Sequence, residues 1–200
     1  MADDNRPRRP LPSGPALFEA ISGGGDPAAA RAAGDLLAEA LVRRVGERDA
    51  ELTERIVRLA EVEGLDALAD LWAEAPAISL SGALWRLYLL RESVRLDPEG
   101  SARAFDEGHR DAPVATAIAG AIEPYGPQQM LTLLDTILQG ISTAEFADVL
   151  FRAGAFARVV AAGRVRLAEG HAATVATSRF LDLAHDLEVA ARRELDDRLA

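Results

Sequence analysis

Apolar residues recur along this chain at spacings of three and four, the period of a helix that turns one side to a core. In the stretch opened by Asp26-Pro27, Ala29, Ala33, Leu36, Leu37, Ala40, Leu41 and Val45 keep that spacing, while Arg31, Glu39, Arg43 and Arg44 fall elsewhere. Asp followed by Pro is a start signal: the carboxylate accepts from the free amides of a first turn, and proline has no amide to leave unpaired there. Asp97-Pro98 repeats the signal, and Asp111-Ala112-Pro113, Gly126-Pro127 and Ser142 with Glu145 mark further starts. Asp49 precedes a stripe of Leu52, Ile56, Leu59 and Ala60, and Gly64 suits the left-handed residue that ends a helix, with Leu65 as its apolar contact. Asp66 is expected to cap a short helix before Pro76, and Ser79 or Ser81 to open the next. In that next helix Ala83, Leu84, Trp85, Leu87, Tyr88, Leu89 and Leu90 leave almost no polar side, which predicts a position at the centre of the core. The last helix, over residues 172–199, carries Phe180, Ala184, Leu187, Ala191, Leu195 and Leu199 on one stripe opposite a densely charged face.

The pattern predicts an all-α protein of about ten helices, a compact irregular bundle built in part from helical hairpins. No segment alternates with the period of a strand, and no repeat recurs often enough for a regular solenoid. Residues 1–14, rich in Pro, Arg and Asp without apolar periodicity, predict a disordered tail. Residues 15–200 are expected to form a single helical domain, with a short helix over residues 15–21 ended by Gly23-Gly24-Gly25.

Composition sharpens this picture. The 40 alanines raise helix propensity almost everywhere, and Phe, Trp and Tyr together make up only 5% of the chain. All 22 basic residues are Arg, against 32 acidic ones, for a net charge of −10. That charge disfavours non-specific binding to phosphate backbones. The lack of cysteine excludes disulfides, thiolate catalysis and zinc-finger sites. Uncharged stretches such as residues 112–122 are too short to span a bilayer, and Arg6, Arg8 and Arg9 lead into Pro10, Pro12 and Pro15 instead of an apolar leader. A cytoplasmic protein with no membrane contact is the expectation.

The sequence offers a few leads to chemistry. Asp106-x-x-His109 and Asp182-x-x-His185 each set a carboxylate and an imidazole on one helix face, as paired metal-ligating motifs of helical bundles do. His185 also has Asp182, Asp186 and Glu188 near it, the surroundings of a carboxylate-oriented general base, although no nucleophile motif accompanies it. Arg152, Arg158, Arg164 and Arg166 form a basic island free of acids, a candidate anion or DNA contact if Gly154 and Gly163 break the helix and regroup them. Gly23-Gly24-Gly25 lacks the Lys and Ser/Thr of a phosphate loop, so no cofactor is expected. The last helix is the expected contact surface, with Phe180, Leu187 and Leu195 meeting a protein partner or a second copy, and Tyr125 as a further anchor. These features favour a non-enzymatic protein–protein interaction or adaptor module. The alternatives are a helical enzyme or metal-binding bundle using the Asp-x-x-His pairs, and a transcription-related regulator with a basic helix.

Overall fold

The computed structural model describes residues 27–43, 64–110, 125–140, 145–167, 171–197 and 199. Seven helices occur among them: α1 (Pro27–Arg43), α2 (Leu65–Asp70), α3 (Leu80–Leu96), α4 (Pro98–His109), α5 (Pro127–Leu138), α6 (Phe146–Leu167) and α7 (His171–Asp197). The described residues hold no strand. The expected count of about ten is not met. The tail over residues 1–14, the helix over 15–21, the stripe after Asp49 and the start at Asp111 lie outside the described residues.

Local chemistry sets several of the boundaries. The Ser79 hydroxyl accepts from the amide of Gly82 at 3.0 Å and starts α3. Asp97 accepts from the amide of Gly100 at 2.9 Å, with Pro98 in the first turn of α4. Each such cap stabilises its helix by about 1 kcal/mol. At the start of α5 the side chain of Gln129 reaches back to accept from the amide of Gly126 at 3.1 Å. The start of α2 differs from the sequence expectation: Gly64, at φ 88°, stands in the cap position, and Asp66 lies inside the helix with no capping bond.

The core has two organising helices: α3, central as the sequence pattern predicts and with Leu80, Ala83, Leu84, Leu87, Leu90 and Val94 buried, and α6, whose packing on its neighbours is the most extensive. More than half of α6 is buried, including Val149, Leu150, Ala153, Phe156, Ala157, Val159, Val160 and Ala161. Helices α7 and α4 make their most extensive packing on it, from different sides, and hardly touch each other. Helix α3 packs chiefly on α5, with smaller contacts to α1, α7, α6, α4 and α2, so it touches every other described helix. Trp72 is fully buried beyond α2, and its indole N–H donates to the carbonyl of Gly34 in α1 at 3.0 Å.

Gly154 and Gly163, which would regroup the basic island only by breaking the helix, lie within an unbroken α6. They are points of close approach instead. A Cβ on Gly163 would overlap the carbonyl oxygen of Ala104 in α4, and a Cβ on Gly108 would overlap that of Val159 in α6. The two helices therefore run antiparallel with their backbones touching through a reciprocal pair of glycines. Ser101, fully buried one turn away on the same side of α4, has no hydrogen-bond partner for its hydroxyl. Gly154 faces α7 less tightly, since its Cβ would stand 3.0 Å from Cγ of Glu188 and 3.3 Å from the carbonyl oxygen of Ala184.

Candidate functional site

The two Asp-x-x-His pairs are carried on α4 and α7, the helices that flank α6. Asp106, His109, Asp182 and His185 are all exposed. His109 is the last residue of α4, and its ring stacks on Phe105 with centroids 5.6 Å apart. Phe105 in turn stacks on Phe156 of α6 at 5.6 Å. Among the described residues no group of three or more His, Asp or Glu side chains gathers so as to hold a metal ion. The carboxylates near His185 are drawn into ion pairs: Asp186 accepts from Arg86 of α3 at 2.7 Å, and Glu188 receives both arms of Arg158.

The basic island is dispersed because α6 stays helical through it. Arg152 donates to Asp148 one turn earlier at 2.7 Å and lies over the ring of Tyr125, 4.7 Å from its centroid. The bond to Asp148 holds its proton more tightly than usual against the opposing effect of burial. Arg158 grips Glu188 across the α6–α7 interface, and that bond also raises its pKa. Arg164 lies 4.0 Å from the centroid of Phe180; burial lowers its pKa, and the charge of Asp97 opposes the shift. Arg166 is exposed near the end of the helix. Two of the four are thus bound to acids, a third is folded onto an aromatic ring, and no common anion-facing side results.

The stripe expected to meet a partner is turned inward. Phe180, Ala184, Leu187 and Ala191 are buried in the interface of α7 with the rest of the core. Phe180 and Leu187 are therefore core residues, a correction whose cause is the antiparallel hairpin that α7 forms with α6. Leu195 stands out at 68% exposure, because it lies near the end of α7. Tyr125 is partly buried against the core, beneath Arg152.

A different surface carries the exposed apolar groups. On α3, Leu89 is 40% exposed and Leu96 83%. At about 100° per residue, positions 85, 89 and 96 fall within roughly 40° of one another. Trp85 shares that side and stacks on Tyr88 at 5.4 Å with 22° between the rings, both only partly buried. The Tyr88 hydroxyl donates to Asp66 of α2 at 2.8 Å. Its pKa is pushed up to about 12 by burial first, then by that bond and by the charges of Asp66, Glu92 and Asp70. Sequence periodicity misses this surface because a helix apolar on nearly every side gives no signal for which side is left uncovered. The nearest available sign is the pair of aromatics one turn apart, followed by acids.

No described helix is long and apolar enough to cross a membrane. Comparison of the chain with protein families, with curated proteins and with solved structures finds no match.

Proposed function

We propose that this protein is a non-enzymatic helical module that acts by protein–protein contact, and that the contact surface is the outer side of α3. The observation that carries this reading is the row formed by Trp85, Leu89 and Leu96 with Tyr88 stacked at its edge. Large aromatic and aliphatic side chains left together on one helix side are the usual anchors of a protein interface. The charged groups that could otherwise suggest chemistry have structural work: Arg43 with Glu194, Arg86 with Asp186, and Arg158 with Glu188 each join helices distant in sequence. A cytoplasmic setting fits the reading and is part of the proposal.

The test compares proteins crosslinked to the full chain with those crosslinked to Leu89→Ser and Leu96→Ser, after circular dichroism has verified their helix content. The expected result is a partner captured by the parent chain and lost from both variants. Capture that both substitutions leave unchanged would overturn the reading.

A further inference from the structure

The surroundings of the α3 surface specify the chemistry of what it binds. The Asp66 carboxylate is fixed beside the Tyr88 ring by the hydroxyl it accepts from, and Asp66 and Asp70 are both exposed. No arginine bonds either carboxylate among the described residues. The third nearby acid, Glu92, differs in being held by Arg91 and Arg95. Among the described residues, then, the two carboxylates at the rim of the aromatic pair are met by no arginine. Aromatic faces attract cations through their quadrupole, and adjacent carboxylates reinforce the attraction. Leu89 and Leu96, further along the same side, offer contact to apolar groups.

We infer that the Trp85–Tyr88 pair, rimmed by Asp66 and Asp70 and extended by Leu89 and Leu96, docks a basic amphipathic helix of another protein, with an Arg or Lys seated on the aromatic rings. This inference rests on the interaction reading above and names the partner's chemistry. Charge selects the occupant. With a net charge of −10 the chain attracts basic segments from a distance and repels phosphate-rich surfaces. A second copy is a poor fit, because two chains each carrying a net charge of −10 repel one another.

The fold supplies a reporter. The chain has two tryptophans, and Trp72 is fully buried with its N–H bonded to Gly34, so a surface ligand reaches only Trp85. The experiment titrates the full chain with an amphipathic leucine–arginine peptide and follows tryptophan fluorescence, with a leucine–glutamine peptide of the same pattern alongside. The arginine peptide is expected to give a saturable change that rising salt weakens and that Trp85→Phe abolishes. Asp66→Asn combined with Asp70→Asn is expected to weaken binding about fivefold, as the loss of two rim charges implies. Equal binding of the two peptides, an unaltered affinity in the double variant, or no binding of the arginine peptide overturns the inference. Equal binding that Leu89→Ser weakens for both peptides would overturn the cation preference alone and leave the interaction reading standing. If light scattering shows a dimer that Leu89→Ser dissociates, the occupant is a second copy and the inference falls.

Discussion

Tyr88 shows how much one contact sets at the scale of a residue. Its phenol is neutral in the folded chain well beyond the usual range, with a pKa of about 12 in place of 10.0. The folded state therefore holds the phenolic proton more tightly than the unfolded chain does. The stability this contributes is complete below pH 10.0 and is lost as pH rises toward about 12. Asp66→Asn removes a charge and a charged acceptor, so the absorbance titration of Tyr88 is expected to shift down toward 10.0 without reaching it, because burial persists. A midpoint that Asp66→Asn leaves in place would contradict the assignment. Much at this scale is present in the sequence: Ser79 and Asp97 are read as caps from their neighbours alone, since capping is a local property. Arg158 and Glu188 are not. Thirty positions separate them, and only the hairpin of α6 and α7 makes one the partner of the other.

The decisive element is α6, and its glycines explain why. A glycine within a helix costs about 1 kcal/mol in propensity relative to alanine, so it is kept there only where a side chain would not fit. Gly163 faces the backbone of Ala104, which cannot rotate away as a flexible side chain would. Gly163→Ala is therefore expected to destabilise the fold by about 2 kcal/mol despite the propensity gained, because α4 and α6 must separate. Ala162→Gly, one residue earlier on the exposed side of the same helix, should cost only about 1 kcal/mol. Urea unfolding of the two variants checks the ordering, and a Gly163→Ala chain as stable as its parent would refute the close approach. The sequence marks these glycines ambiguously, because a glycine that admits a neighbouring helix and a glycine that ends its own look alike in one dimension. The same ambiguity hides the uncovered side of α3, whose polar residues are too few to point outward.

Across the whole molecule, charged groups tie distant segments as apolar burial alone would not. Arg43 of α1 binds Glu194 of α7 with both arms and donates to the carbonyl of Leu199 at 2.7 Å, while the amide of Leu199 donates to Glu194 at 2.8 Å. The side chains of Arg43 and Glu194 are only 16% and 8% exposed, so water cannot replace the bond when one partner is lost. Arg43→Ala is expected to destabilise the fold by about 2 kcal/mol, whereas Arg110→Ala, whose pair with Glu107 is exposed, should change stability by under about 0.5 kcal/mol. Thermal unfolding distinguishes them, and equal melting temperatures would remove the clamp's assigned role. Helical class, a long terminal helix and the central place of α3 were readable from periodicity, but the extensive packing of α4 and α7 on α6 was not, because it depends on how neighbours are arranged. That arrangement has a consequence for biogenesis. Helix α6 is sixth among the described helices, so a ribosome delivers α1 to α5 before the helix on which α4 and α7 pack most extensively. Until residues 146–167 leave the exit tunnel, α4 lacks the helix on which it packs most extensively, so the close approach of Ala104 to Gly163 is expected to form only late in synthesis.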